Sequence, residues 1–198
     1  DDTEIVDGIE VDADAPRPDW DAQWPSFGVG SAPEGAVTPT ESADGKWVQQ
    51  LKDQADYSTY LSDPLIVNGR VYIAVGSQLE VLNASTGERF ASADLVAPID
   101  SIARMVYADG VIVVPVQGGR LQALTADALT TVWITDELAA INDRGKQQSL
   151  GTLTVSSGRV YYGTAAVGWS GPSYNGYFTC VDLATGNVVW SNANASAG

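Results

Sequence analysis

Three times along this chain an apolar run meets a two-residue turn and a second apolar run follows. Leu65-Ile66-Val67 leads through Asn68-Gly69 to Val71-Tyr72-Ile73-Ala74-Val75. Met105-Val106-Tyr107 leads through Asp109-Gly110 to Val111-Ile112-Val113-Val114, and Leu153-Thr154-Val155 leads through Ser157-Gly158 to Val160-Tyr161-Tyr162. A two-residue hairpin turn asks for positive φ at both central residues, which glycine takes freely and Asn or Asp tolerates, so each run pair is predicted to be a β-hairpin. The turn glycines lie 41 and 48 residues apart. That spacing leaves room for a third strand (Leu79 to Leu82, Leu121 to Leu124, Phe178 to Val181) and a fourth ending near Phe90, Trp133 and Trp190. A four-stranded unit repeating every forty-odd residues is the pattern of a β-propeller blade. One such unit cannot bury both of its faces, so neighbouring units must stack.

The repeats divide the chain. Residues 45–198 hold the blades, in units of about 45–100, 101–145 and 146–198. Residues 20–44, rich in Pro, Gly and Ser, form an irregular lead-in with Trp20, Trp24 and Phe27 as candidate anchors on a core. Residues 1–19 read as an acidic flexible arm. The first 24 residues hold nine acids against Arg17 alone, and Pro16 and Pro18 deny the arm a helix. Asp12 and Asp14 lack the glycine-bearing loop of an EF-hand and are read as solvated. Helix is expected only as a turn or two between Thr135 and Ile141, and Asn192 to Gly198 reads as a loop leading to another blade.

Composition removes several function classes. A net charge of −15 opposes binding to nucleic acid or anionic lipid. No apolar run approaches the roughly 18 residues of a membrane-spanning helix, so membrane insertion is not expected. A single cysteine, Cys180, excludes a disulfide framework, and the lack of any histidine excludes the usual zinc sites and the Ser-His-Asp triad. The chain opens without Met and without a leader, so a processed form is expected. Few lysines and many Asp, Ser, Thr and Gly residues lean toward an exported bacterial protein, extracellular, at the cell surface or periplasmic.

The most specific pattern lies between the third and fourth strands of the last unit: Cys180-Val-Asp182-Leu-Ala-Thr185-Gly186-Asn-Val-Val-Trp190. Asp182 can cap the turn with its side chain, Gly186 can take positive φ, and Trp190 can stack between blades. Val81-Leu-Asn83-Ala-Ser-Thr86-Gly87 keeps the turn but has Ala91 at the tryptophan position. Ala123-Leu-Thr125-Ala-Asp-Ala-Leu129 lacks the glycine but keeps Trp133 in register. Trp47, after Asp44-Gly45-Lys46, is placed to end a preceding unit or to supply a closing strand. Over residues 45–190 this resembles the tryptophan-docking motif of the pyrroloquinoline-quinone (PQQ) dehydrogenase family.

The resemblance implies an all-β chain of four-stranded PQQ-like blades. At about 42 residues per blade it makes three to four of them, a partial or small propeller. Members that bind PQQ have eight blades, often with a calcium ion and a vicinal cysteine pair against the quinone. Cys180 has no neighbour of its kind, so no cofactor is expected here, and PQQ with calcium belongs to an alternative in which the chain is the N-terminal part of a quinoprotein oxidoreductase. The leading expectation follows the non-enzymatic members: an exported or cell-surface scaffold that binds a protein or glycan, completed by further blades in a longer chain or by a second copy.

One loop stands out as a candidate ligand site. The third unit carries an insertion from about Ala165 to Gly176, rich in glycine, in which Trp169, Tyr174 and the adjoining Tyr177 can make a stacking platform. No catalytic residue is assigned. Asp136 and Glu137 read as a solvated loop, and Arg104, Arg120 and Arg159 as blade-edge partners of Asp or Glu. Asp182, Thr185, Gly186, Trp190 and Trp133 are assigned to blade docking.

Overall fold

Asn68, Asp109 and Ser157 sit at φ of 47°, 46° and 52°, each followed by its glycine at 70°, 78° and 70°. These are the doubly positive turns that match the twist of a hairpin. The computed structural model describes residues 3–20, 22–24, 47–100, 103–138, 146–149, 152–167 and 176–195. Among these the chain is all β, in three sheets. The first four strands are β1 (Thr3–Val6), β2 (Ile9–Asp12), β3 (Ala22–Trp24) and β4 (Leu65–Val67). Next come β5 (Arg70–Val75), β6 (Gln78–Asn83), β7 (Arg89–Asp94) and β8 (Val106–Ala108). They are followed by β9 (Val111–Val116), β10 (Arg120–Thr125), β11 (Thr131–Ile134) and β12 (Lys146–Ser149). The last are β13 (Thr154–Ser156), β14 (Arg159–Val167), β15 (Gly176–Asp182) and β16 (Val188–Ala195).

Each predicted unit is an antiparallel meander: β4 to β7 in blade 1, β8 to β11 in blade 2, and β13 to β16 in blade 3. Blade 1 gains β3 beside β4, and blade 3 gains β12, which pairs with the far end of β14. Side chains alternate between the faces of a strand, so each blade offers one face to each neighbour. Leu65, Tyr72, Leu79 and Val81 of blade 1 pack against Met105, Ile112 and Val114 of blade 2. Val111, Val113, Leu121 and Trp133, on the other face of blade 2, pack against Val160, Tyr162 and Leu183 of blade 3. Every residue of β9 and β10 is therefore buried, which explains the unbroken apolar run from Val111 to Val114. Burying one such side chain stabilises by about 1.5–3 kcal/mol, so these two seams dominate cohesion.

Three local expectations are corrected. The segment read as a flexible acidic arm contains the hairpin β1–β2, turned at Asp7 (φ 49°) and Gly8 (φ 85°). It adds to the outer strand of blade 2, with Val11 parallel to Thr131. The Asp7 carboxylate offsets the charge of Arg120, 2.6 Å away and almost buried, and Ala15 enters the core between blades 2 and 3. Charge density hid an ordinary Asp-Gly hairpin signal there. At the other side of the chain, β16 continues through Ala195, past the residue where a loop was expected. Residues 135–138 form no helix, and 139–141 lie outside the described residues. Of the edge arginines, Arg104 meets Asp63 at 3.3 Å and Arg120 meets Asp7. No helix among the described residues is long and apolar enough to cross a membrane.

Candidate functional site

The motif residues of the last repeat assemble into a receptor. One oxygen of Asp182 accepts from the backbone N–H groups of Ala184 and Thr185, both at 3.0 Å, and from the Thr185 hydroxyl at 3.1 Å. The Gly186 N–H donates back to the Asp182 carbonyl at 2.8 Å, and Gly186 stands at φ 73°. Trp133 of the preceding blade lies flat on that turn. Its indole N–H donates to the Leu183 carbonyl at 2.9 Å, and a Cβ on Gly186 would stand 2.7 Å from the ring. Only glycine leaves the indole its place.

The same receptor recurs two blades earlier, in blade 1. Asn83 caps Ser85 and Thr86 at 2.8 and 3.0 Å, and Trp47 covers Gly87 while donating to the Ala84 carbonyl at 3.0 Å. In both cases the acceptor is the residue three before the glycine. Trp47 thus fills the role of a preceding blade's tryptophan. Trp190 stands opposite Cys180 as Trp133 stands opposite Ala123, so small residues lie under both indoles. Trp133 is 3% exposed, whereas Trp190 is 40% exposed. Phe178 and Tyr161 flank Trp190 with ring centroids at 5.5 and 6.3 Å, and Val188 is exposed nearby.

A second feature lies at the opposite end of the blades, where second strands turn into third strands. A cleft of 610 Å³ opens between blades 1 and 2, lined among others by Tyr60, Gly76, Gln78, Ile99, Asp100 and Gln117. Gln117, nearly buried, donates to Asp100 at 3.4 Å, and Gln78 donates to Asp94 at 3.1 Å. One wall is Ser58, Thr59 and Tyr60, on the segment 56–60. The Lys52 ammonium donates to the carbonyls of Asp56 and Thr59 at 2.7 and 2.6 Å. The Asp56 carboxylate accepts from Ser58 and Thr59, and those hydrogen bonds, Thr59's first, hold it well below the usual carboxylate range. Tyr57 and Tyr60 are exposed on this segment. Sequence reading missed the cleft, because its walls are far apart in the chain and no motif joins them.

Of the predicted ligand loop, Trp169 and Tyr174 lie outside the described residues. Tyr177 is half-exposed at the start of β15, and its N–H donates to the Thr164 hydroxyl at 3.1 Å. The loop occupies the connection between β14 and β15, equivalent in topology to the turns that border the cleft in blades 1 and 2.

The described residues do not by themselves fit PQQ. Cys180, the sole cysteine, is buried within β15, and no three His, Cys, Asp or Glu side chains converge as metal ligands among the described residues. Trp47 and Trp133 are committed to turns between blades and cannot form a floor for a quinone.

The chain spans about a fifth of the length of the dehydrogenases it resembles in fold. Quinohemoprotein alcohol dehydrogenase ADHIIG from Pseudomonas putida HK5 superposes with a TM-score of 0.53 at 21% identity, over 67% of this chain and 20% of that one. The quinohemoprotein alcohol dehydrogenase from Comamonas testosteroni gives 0.52 at 21% identity, over 67% and 20%. A europium-containing methanol dehydrogenase gives 0.50 at 18% identity, over 66% and 24%. At these identities the likeness concerns the fold. No curated protein sequence matches the chain. The family model described as outer membrane protein assembly factor BamB matches residues 33–197. With its repeated tryptophan-on-glycine turns, the chain belongs to that family of PQQ-like β-propeller repeats.

Proposed function

We propose that this chain is a non-catalytic scaffold of an exported or cell-surface protein, binding a protein or glycan partner at the loop end of its blades. The observation that carries this reading is the cleft between blades 1 and 2. It places Tyr60 beside two side-chain amides and a carboxylate, with Tyr57 exposed close by in sequence. Aromatic rings beside amide and carboxylate groups suit the faces and hydroxyls of a sugar, or the backbone of an extended peptide. The loop bearing Trp169, Tyr174 and Tyr177 would extend the same surface.

The test is a glycan and peptide array followed by calorimetry of any hit. Tyr60→Ala and Gln117→Ala are expected to weaken binding at least about tenfold, equivalent to about 1.4 kcal/mol. Binding unchanged in both variants, or no binding at all, overturns the assignment of the cleft.

Further blades belong to this proposal. Trp190, with Phe178 and Val188 exposed around it, is suited to receive a Thr-Gly turn of the kind that covers Trp133. The fold likeness to quinohemoprotein dehydrogenases favours a second reading, the N-terminal part of a PQQ-dependent oxidoreductase. Saturable, calcium-dependent quenching of tryptophan fluorescence by PQQ in the full-length protein would support that reading.

A further inference from the structure

The seam between blades 1 and 2 lacks both halves of the tryptophan lock. Ala91 pairs with Val81, the position at which Trp133 pairs with Ala123. Leu129 holds the place of the glycine, at φ 59°. The two changes fit each other: a Cβ at this position is incompatible with an indole lying as Trp133 lies on Gly186. Instead Leu129 is buried in the core cluster of this seam, against which Ala91 also packs.

The carbonyl that an indole would bond is nonetheless satisfied. Ala126 lies three residues before Leu129, as Leu183 lies before Gly186 and Ala84 before Gly87. It accepts from the Tyr72 hydroxyl at 2.5 Å and from the Arg70 guanidinium at 3.3 Å. The same Arg70 nitrogen donates to the Asp127 carbonyl at 2.8 Å. Arg70 lies between two rings, its guanidinium carbon 4.7 Å from the centroid of Trp20 and 5.2 Å from that of Phe90. A guanidinium suits this work because it offers several donors in a plane and stacks on aromatic faces.

Trp20 belongs to no blade. It lies on the segment between the N-terminal hairpin and β3, and it exchanges hydrogen bonds with the Tyr107 hydroxyl of blade 2, at 3.3 Å through its N–H and 2.9 Å through its carbonyl. Three residues earlier, Arg17 reaches the Ala184 carbonyl of blade 3 at 2.6 Å. We propose that Arg70, stacked between Trp20 and Phe90, replaces the tryptophan lock at this seam, making residues 15–20 a clasp on which closure of blade 1 against blade 2 depends. The seam between blades 2 and 3 carries its lock, Trp133 on Gly186, within the blades. The loop-end cleft lies on the clasped seam, so the clasp holds together the two blades that form its walls.

A double-mutant cycle tests the proposal. Trp20→Ala and Arg70→Ala are each expected to raise the unfolding equilibrium constant about tenfold, and the double variant little more than either alone. Fully additive losses, or no loss from Trp20→Ala, overturn the clasp. A rescue gives an independent reading. Ala91→Trp with Leu129→Gly, introduced into the Arg70→Ala protein, should recover stability and make it insensitive to Trp20→Ala. A rescued protein that still loses about tenfold on Trp20→Ala would show that Trp20 acts by packing alone, and would also overturn it. If the rescue variant does not fold, the cycle alone decides.

Discussion

The indole N–H of Trp133 donates to the Leu183 carbonyl across fifty residues of sequence, with the ring pressed on Gly186. This contact fixes how blade 3 sits on blade 2. Two demands meet at Gly186: a backbone in the left-handed region and an absent side chain. They can be separated by comparison with Gly158, which shares the first demand at φ 70° but has nothing within 4 Å of the place a Cβ would take.

Gly158→Ala should therefore cost about 1 kcal/mol, the strain of a left-handed alanine. Gly186→Ala adds expulsion of the Trp133 ring and should cost at least about 3 kcal/mol in all. Chemical denaturation of the two variants measures the difference. Equal losses would mean that the indole moves aside without penalty.

Alkaline pH should loosen both seams. Burial pushes the Tyr72 hydroxyl up to about 12 from its ordinary value of 10.0, and burial pushes Tyr162 up as well. A tyrosine raised on folding contributes stability that is complete below its unfolded value and is lost as pH climbs through the folded one. Unfolding free energy should thus be unaffected by Tyr72 below about pH 10 and then fall by about 1.4 kcal/mol per pH unit toward pH 12. Tyr72→Phe should flatten that decline in a denaturant titration across pH, at the cost of one hydrogen bond to Ala126. Burial raises Tyr107 and Tyr162 too, so they account for decline that remains in the Tyr72→Phe variant.

Cys180 should be unreactive in the native protein. It is fully buried in β15, paired in register with Trp190. Its labelling by a thiol reagent should track global unfolding and accelerate when Trp190→Ala strips the cover on its strand. Rapid labelling of the native protein would mean that the outer strand β16 frays from β15.

The blades were legible because their signals are local. Asn68-Gly69, Asp109-Gly110 and Ser157-Gly158 take the backbone angles their composition favours, and the apolar runs beside them pair in the expected order. The hairpin at Asp7-Gly8 carries the same signal. It was obscured because its acids resemble those of a solvated tail, and because its partner strand β11 lies more than a hundred residues away. Leu129 hid another turn, since a branched aliphatic residue gives no hint of positive φ. The cleft was invisible for a related reason: Gln78, Asp100 and Gln117 acquire common surroundings only when two blades stack.

The sequence by itself determined the repeat, the turns and the alternation of buried side chains, since φ preference and strand periodicity act over a few residues. The tertiary structure decided which ring meets which turn. Trp133 on Gly186 and Arg70 at the Ala126 carbonyl are contacts between separate sheets, and Trp47, outside any strand, meets Gly87 of blade 1 from forty residues away. Their partners are chosen by the stacking of whole blades, which no short stretch of chain can specify.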